Sequence, residues 1–333
     1  MKPFASLLMI FIILNSLMIM NCKSNSGESK KTPLIFATFA EDQEQLHHTL
    51  ILAESIRTFA GKFKDAPIWV YIPENLKEID RGILNKFDSL EVELKTVQAP
   101  EEALKFYFAR KVFAAAKAEA EAEEKAGILV WMDEDTIVLQ EPKEFLLEQN
   151  LSLGYRPVMH KNIGSLYSEP PDKFWSRIYE KLYITQSSLF PMITPADQDT
   201  LRPYFNAGLL VVRPRAGILR KWAEYFPILY KDSILVDMCE QDRLKKIFLH
   251  QVALVGAILN TLKQEETVDL SLRYNYPIFF KAMYGATKEF DSLDNVVTLR
   301  YDVYFSNPEP DWARKLKGPE KIISWLKERL GKK

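Results

Sequence analysis

The sequence predicts an α/β fold in which a mostly parallel central sheet is flanked by helices, and three observations support this prediction. Short apolar runs alternate with helical patterns along the first half of the chain. These runs are apolar at consecutive residues, as expected of strands that are covered on both faces. Three acidic residues follow one of the runs directly, at the strand end where such sheets gather their ligands.

The first half of the chain shows the alternation most clearly. Strands are predicted at 33–39, 68–72, 90–97 and 128–132. Helices are predicted at 44–59, where apolar residues recur at helical spacing, and at 101–125, which is rich in Ala, Glu and Lys. This order predicts a doubly wound sheet with right-handed crossovers.

The second half is less regular and contains no internal repeat. Strands are predicted at 209–212 and 296–304, and helices at 216–230, 240–262 and 319–330. Because α/β enzymes often exceed 250 residues as one unit, we expect a single domain over 32–333.

The composition is that of a folded protein with balanced charge. Of 333 residues, 47% are hydrophobic and 27% are charged, with 44 basic and 45 acidic side chains. No block of Lys and Arg is present that would gather a polyanion, so nucleic acid is not expected as a partner. Cys239 has no histidine near it in sequence, and we expect it to be a small buried hydrophobe.

The N-terminus differs from the rest of the chain. An apolar run at 4–20 is typical of an export or anchor segment, and a polar linker rich in Ser, Gly and Lys follows at 23–31. Because Cys22 follows the run, residues 1–22 resemble a bacterial lipoprotein signal with a lipid on that cysteine, although Asn21 stands where a small residue is expected. The alternative is an uncleaved anchor, since roughly 17 apolar residues are the lower limit for crossing a bilayer. Both interpretations predict a membrane-associated protein and leave the side of the membrane open.

The acidic residues Asp133, Glu134 and Asp135 follow the apolar run 128–132. Alternate residues of an extended segment point the same way, so Asp133 and Asp135 can converge on one cation while Glu134 faces elsewhere. Mg²⁺ and Mn²⁺ prefer such oxygen ligands, completed by water and substrate phosphates. One alternative is an acidic turn that caps the next element. Another is a phosphatase-type Asp-x-Asp-x-Thr pattern, whose spacing does not match because Thr136 follows Asp135 directly.

A second motif, Phe-Asn-Ala-Gly at 205–208, precedes the predicted strand at 209–212. Its small Ala-Gly pair allows the backbone to approach a ligand closely, and Asn206 offers both a donor and an acceptor to sugar hydroxyls. The alternative is a tight entry into a buried strand. Together with the earlier Asp-x-Asp, this motif resembles the GT-A nucleotide-sugar transferases, particularly the glycogenin-like branch. The resemblance covers roughly 33–304 in element order, and only the two motifs are specific.

The resemblance implies a single-domain GT-A fold and a metal-dependent glycosyltransferase that moves a sugar from a nucleoside diphosphate sugar to a saccharide, lipid or protein acceptor. It implies that Asp133 and Asp135 bind Mn²⁺ or Mg²⁺ with the diphosphate, which Glu134 also contacts. The residues implied to line the donor-sugar pocket are Asn206, Ala207, Gly208 and Gln251.

Other positions follow from the resemblance by their place in the fold. Thr38, Phe39 and Ala40 end the first strand, where the family binds its nucleotide. Lys111 lies on an apolar face of the predicted helix 101–125, toward the ligand edge, where a cation can meet phosphate. The alternative is a lysine that extends its stem along the rim of the core.

The third metal ligand is left open. The family supplies a late histidine, whereas the predicted strand 296–304 contains Tyr301 and Asp302 but no histidine. The family has an Asp-Gln pair where this sequence has His250 and Gln251, so His250 departs from the family's Asp. The candidates for a third ligand are therefore His250 and Asp302.

A second hypothesis comes from the N-terminus. An exported protein with a lipid anchor lacks access to cytosolic nucleotide sugars, and such a protein would act as a non-catalytic module that binds sugars or a surface. The intact Asp133 and Asp135 pair argues against it, because a binding scaffold has no need of that pair.

Overall fold

Strands and helices alternate along the chain in the computed structural model, which describes residues 31–76, 78–278, 292–302 and 316–330. Its strands are β1 (Thr32–Phe39), β2 (Ile68–Pro73), β3 (Val92–Val97), β4 (Ala126–Met132), β5 (Thr136–Val138), β6 (Leu153–Pro157), β7 (Met192–Ile193), β8 (Thr200–Leu201), β9 (Phe205–Val212), β10 (Thr267–Asp269), β11 (Tyr276–Pro277) and β12 (Thr298–Arg300). Its α-helices are α1 (Gln43–Phe59), α2 (Arg81–Ser89), α3 (Ala109–Ala122), α4 (Lys173–Lys181), α5 (Ile218–Tyr230), α6 (Ser233–Gln241), α7 (Arg243–Leu259) and α8 (Glu320–Leu330).

The central sheet has seven strands in the order β10-β6-β9-β4-β1-β2-β3. Four of its six strand pairs are parallel, and β9 runs antiparallel to both of its neighbours, β4 and β6. The prediction of an α/β fold with a mostly parallel sheet is therefore confirmed.

Helices cover both faces of this sheet. In β1, Ile35 and Ala37 pack into the core on the side of α3, α5 and α7, whereas Leu34 and Phe36 pack into the core on the side of α1 and α2. Because successive residues of a strand point to opposite faces, covering both faces requires apolar residues at consecutive positions. A second sheet, β11-β12-β5, packs in a third core with α8.

Polar groups at the helix starts fix where several helices begin. Five helices have an aspartate N-cap whose carboxylate accepts a hydrogen bond from a backbone N–H of the first turn: Asp42, Asp80, Asp172, Asp232 and Asp242. The start of α5 has no such cap. There the buried Glu119 of α3 accepts hydrogen bonds from the backbone N–H groups of Leu219 and Arg220. A side chain distant in sequence thus satisfies the free donors of this helix.

Two predicted helices have different bounds in the structure. The helix predicted at 101–125 begins only at Ala109, because 101–105 form a 3₁₀ turn and Phe108 adopts a left-handed conformation with φ of 59°. The helix predicted at 240–262 is divided, since Asp242 ends α6 and caps α7. No pattern described above predicts α2 or β6.

The N-terminal predictions fall on residues whose structure is not described. The signal segment at 1–22, with Cys22, lies there entirely, as does the linker at 23–31 except for Lys31. Within the described ranges, no helix has the length and apolar character that a bilayer crossing requires.

Candidate active site

A cleft of about 780 Å³ opens at the carboxyl ends of β1 and β4. The start of β9 lies beside the end of β4, because the two strands are antiparallel and the backbone N–H of Asp133 donates to the carbonyl of Gly208. The first turn of α3, the middle of α7 and the end of β12 complete the walls. Residues distant in sequence therefore meet where ligands of such sheets bind.

The acidic residues after β4 form the floor of this cleft. Asp133 and Asp135 both contact the guanidinium of Arg300, so their carboxylates converge as the alternation of strand residues predicts. Glu134 also lines the cleft, and its contact with the diphosphate stays a prediction. Burial, followed by the negative charges of Asp133 and Asp135, raises the pKa of Glu134 to about 8.

Two cations hold the carboxylates. Arg300 places Nε 3.1 Å from Oδ1 of Asp135, Nη2 2.8 Å from Oδ2 of Asp135, and Nη1 3.5 Å from Oδ2 of Asp133. The Nζ of Lys111 contacts Oδ1 of Asp133, and the lysine is buried on α3. Burial alone raises the pKa of Asp133, but the charges of Lys111 and Arg300 outweigh burial and lower it. All four carboxylate oxygens thus face a cationic side chain.

Gly208 provides the space in which these charges meet. A Cβ atom at this position would lie 2.8 Å from Oδ2 of Asp133 and 2.9 Å from both Nη1 of Arg300 and Oδ1 of Asn206. The Oδ1 of Asn206 accepts hydrogen bonds from the backbone N–H of Gly208 and from Nδ2 of Asn275. The motif at 205–208 therefore belongs to the cleft as well as to the entry of a buried strand, and Ala207 also lines it.

The helix α7 contributes His250 and Gln251, and both residues are buried and line the cleft. The Nδ1 of His250 lies 2.9 Å from the carbonyl of Ile247, and the indole N–H of Trp222 donates to the backbone carbonyl of His250. Burial, followed by the charge of Lys111, lowers the pKa of His250 to about 3. The imidazole is therefore neutral at physiological pH.

The end of β1 is only partly in the cleft. Phe39 lines it, whereas Thr38 and Ala40 do not and are buried in the core. Alternate residues of β1 face opposite sides of the sheet, so Thr38 and Ala40 do not share the direction of Phe39, and their place beside the nucleotide stays a prediction. Beyond the strand, Glu41 and Asp42 line the cleft, and Glu41 forms an ion pair with Arg110 of α3.

The candidate third metal ligands are not assembled with the carboxylate pair. In the ranges that the structure describes, no three His, Cys, Asp or Glu side chains are grouped closely enough to hold a metal ion. His250 and Asp302 each line the cleft, and the backbone N–H of Asp302 donates to Oδ2 of Asp135. A ligand role for either residue stays a prediction.

Sequence reasoning missed Arg300 and Asn275. The sequence did contain a signal for Arg300, because this cation stands between Leu299 and Tyr301 in a short run that is otherwise suited to a buried strand. The partners of Arg300 could not be predicted from the sequence, since β12 pairs with β5 only in the folded chain. That pairing places Arg300 opposite Thr136. Asn275 lies in a turn that carries no recognisable pattern.

Comparisons with known proteins agree with this architecture. A family model described as the Rhodobacterales glycosyltransferase domain matches residues 36–261. The structure of the bifunctional glycosyltransferase WbbM is similar over 90% of this chain and 49% of its own, with a TM-score of 0.50 and 14% identity. The galactosyltransferase LgtC, in complex with donor and acceptor sugar analogs, matches over 89% of this chain and 94% of its own, with a TM-score of 0.44 and 15% identity.

Mouse xyloside xylosyltransferase 1 is also similar, over 84% of this chain and 100% of its own, with a TM-score of 0.48 and 12% identity. No protein with a curated description matches the sequence. Fold, cleft and family model together define a glycosyltransferase with the GT-A fold. The chain belongs to the family of the Rhodobacterales glycosyltransferase domain, whose model spans well over half of it. The resemblance noted from the two sequence motifs is consistent with this membership.

Proposed function

We propose that this glycosyltransferase takes its sugar from a nucleoside diphosphate sugar and that the diphosphate lies on the floor of the cleft. The observation that carries the proposal is the convergence of Asp133, Asp135, Lys111 and the Asn206–Gly208 segment on one cavity at the carboxyl end of the sheet. A volume of about 780 Å³ falls within the range of sites that enclose a small molecule. The description of LgtC as a complex with donor and acceptor sugar analogs supports a sugar donor and a saccharide acceptor.

Different residues of the cleft bind different parts of the donor. Lys111 meets the diphosphate from the first turn of α3, and Asn206, Ala207, Gly208 and Gln251 surround the donor sugar. Phe39 and Glu41 border the nucleotide end of the cleft. In the reaction, the bond between the anomeric carbon and the diphosphate oxygen breaks, and its electron pair stays with the diphosphate. The acceptor hydroxyl oxygen forms the new bond to that carbon, and its proton passes to a base or to water.

The negative charge that grows on the leaving diphosphate must meet positive charge. Mn²⁺ or Mg²⁺ held by Asp133 and Asp135 would be one source, and it would supply Lewis-acid stabilisation of the leaving oxygen. The pair has the oxygen chemistry that such an ion prefers. As arranged, however, it does not fit the ion, because every carboxylate oxygen faces Lys111 or Arg300. The metal dependence that the sequence motifs imply is therefore left to the comparison of rates with and without Mn²⁺.

The test is a donor screen on the full-length chain. Nucleoside diphosphate sugars of several bases and sugars are incubated with candidate saccharide acceptors, with and without Mn²⁺, and release of nucleoside diphosphate is measured. We expect release with one donor class, and a loss of about a hundredfold in Asp133→Asn, because Lys111 and Arg300 lose the carboxylate that positions them. Asp88→Asn on the exposed surface of α2 is the matched control. No release with any donor, or equal rates in both variants, contradicts the proposal.

Membrane attachment is a separate proposal, supported by the apolar run at 4–20 and by Cys22. Mass spectrometry of the protein from the membrane fraction is expected to find a lipid on Cys22 and no residue before it. An unmodified N-terminus in the membrane fraction supports the uncleaved anchor instead. The non-catalytic module is not favoured, because the chain belongs to a glycosyltransferase family.

A further inference from the structure

The side chain of Arg300 fills the space between the two carboxylates that follow β4. The strand β12 is antiparallel to β5 and pairs Arg300 with Thr136, which directly follows Asp135. This pairing brings the guanidinium to the floor of the cleft, where Nε and Nη2 bind Asp135 and Nη1 approaches Asp133. The position of Arg300 is therefore fixed by backbone pairing and by side-chain contacts together.

The surroundings are built to accept this cation. Gly208 leaves the space that Nη1 occupies, since a Cβ there would lie 2.9 Å from that nitrogen. Lys111 supplies a second positive charge on the other oxygen of Asp133. The two carboxylates and two cations balance in charge. A divalent ion bound to the same oxygens would repel the guanidinium and would have to displace it.

An arginine in this position can supply the hydrogen-bond donors and the positive charge that a diphosphate requires. Its planar fork carries five N–H donors and is suited to bidentate contact with phosphate oxygens. The carboxylates of Asp135 and Asp133 hold the fork in one orientation, so little ordering remains when a ligand binds. Arg300 and Lys111 both line the cleft, which makes their positive charge available to a ligand on its floor.

We propose that Arg300, together with Lys111, is the built-in cation of this site, so that the enzyme binds the diphosphate and transfers the sugar without a divalent metal. In this arrangement Asp133 and Asp135 position the guanidinium and do not act as metal ligands. The inference rests on the proposed function, because it names the groups that receive the diphosphate of the same donor.

The experiment uses the full-length chain after dialysis against a chelator, with residual metal measured by elemental analysis. Uridine, guanosine and cytidine diphosphates are titrated by calorimetry with and without Mn²⁺ or Mg²⁺, and transfer is measured under the same conditions with the donor found in the screen. We expect binding and transfer in the stripped protein, with less than about a threefold change when either ion is added, since N–H groups of Arg300 and Lys111 supply the contacts that the diphosphate would otherwise make with the ion.

The variant Arg300→Gln removes the guanidinium and leaves the carboxylates in place. We expect metal-free diphosphate binding to weaken about tenfold or more, and Mn²⁺ to recover part of it because the freed carboxylates can then bind the ion. Arg273→Gln is the matched control, because Arg273 is exposed, does not line the cleft, and its side chain donates hydrogen bonds to the backbone carbonyl of Asn295 and to the side chain of Gln140. We expect it to bind like the wild type.

Two outcomes overturn the inference in different ways. If the stripped wild type binds a diphosphate only after Mn²⁺ or Mg²⁺ is added, the inference is wrong and the proposed donor class stands. If no nucleoside diphosphate binds under any condition and no donor is turned over, the proposed function fails with it. The wild-type comparison alone decides between these cases, so the result does not depend on whether Arg300→Gln folds.

Discussion

Gly208→Ala is the substitution that tests the geometry of the cleft floor most directly. Gly208 lies in β9 with an ordinary strand conformation, so alanine is compatible with the backbone itself. The added Cβ would lie 2.8 Å from Oδ2 of Asp133, 2.9 Å from Nη1 of Arg300 and 2.9 Å from Oδ1 of Asn206. Each distance is several tenths of an ångström shorter than a normal contact, so all three polar groups must move.

The expected effect on activity exceeds the effect on stability. Overpacking of this kind costs about 1–3 kcal/mol of unfolding free energy. A displacement of reacting or binding groups approaching 1 Å can reduce turnover about a hundredfold. We therefore expect Gly208→Ala to fold, to lose about 1–3 kcal/mol in urea unfolding, and to lose about a hundredfold in the rate of nucleoside diphosphate release.

Gly154→Ala is the control for overpacking alone. Gly154 lies in β6 of the same sheet, and its added Cβ would lie 3.1 Å from side-chain carbons of both Leu147 and Leu270 and 3.4 Å from Val211. These neighbours are apolar, and Gly154 does not line the cleft. We expect a stability loss of the same order with nearly normal turnover. If Gly208→Ala is as active as Gly154→Ala, the assignment of the cleft floor is wrong.

Three further predictions concern buried titratable groups. Burial raises the pKa of Glu119 from 4.5 to about 7, so the free energy of unfolding falls as pH rises through that interval. In Glu119→Gln this fall, which is on the order of 3 kcal/mol, should disappear when the free energy of unfolding in urea is measured against pH. Although burial opposes the shift, contacts with Arg177 and Lys181 lower the pKa of Asp232 from 3.8 to about 2, so its contribution is lost as pH falls through that interval. Asp232→Asn should remove this loss, which is at most on the order of 2 kcal/mol because solvent screens the partly exposed Arg177 and Lys181, and an unchanged profile contradicts the assignment. Burial raises the pKa of Cys239 to about 11, so in a Cys22→Ser chain a thiol reagent should react at pH 8 only after unfolding, and rapid reaction of the native protein would refute this.

Local patterns in the sequence predicted much of the fold because they report local forces. The strands β1, β2 and β4 are apolar at consecutive positions, and this pattern is dictated by coverage on both faces. The helix α1 follows from apolar spacing. Cys239 is buried, as its surroundings in sequence led us to expect. The start of α3 at Ala109 was not predictable, because it depends on the left-handed conformation of Phe108.

In the candidate site, too, relations between residues close in sequence could be predicted, and contacts between distant residues could not. Asp133 and Asp135 share a direction because they are two residues apart at a strand end, and this relation is fixed by the chain itself. The contact between Asp133 and Gly208 requires that β9 run antiparallel to β4, which no local pattern encodes. The exclusion of Thr38 from the cleft likewise depends on which face of β1 turns toward the site.

By itself, the sequence determined the class of fold, the two motifs and the acidic strand end, because each depends on residues close together in the chain. Only the tertiary structure decided what faces those carboxylates. Arg300 lies 165 residues after Asp135, and the pairing of β12 with β5 brings its guanidinium to the position where a metal ion was expected. Charge at a site is the sum over all groups within a few ångströms, and distance along the chain does not determine which groups those are.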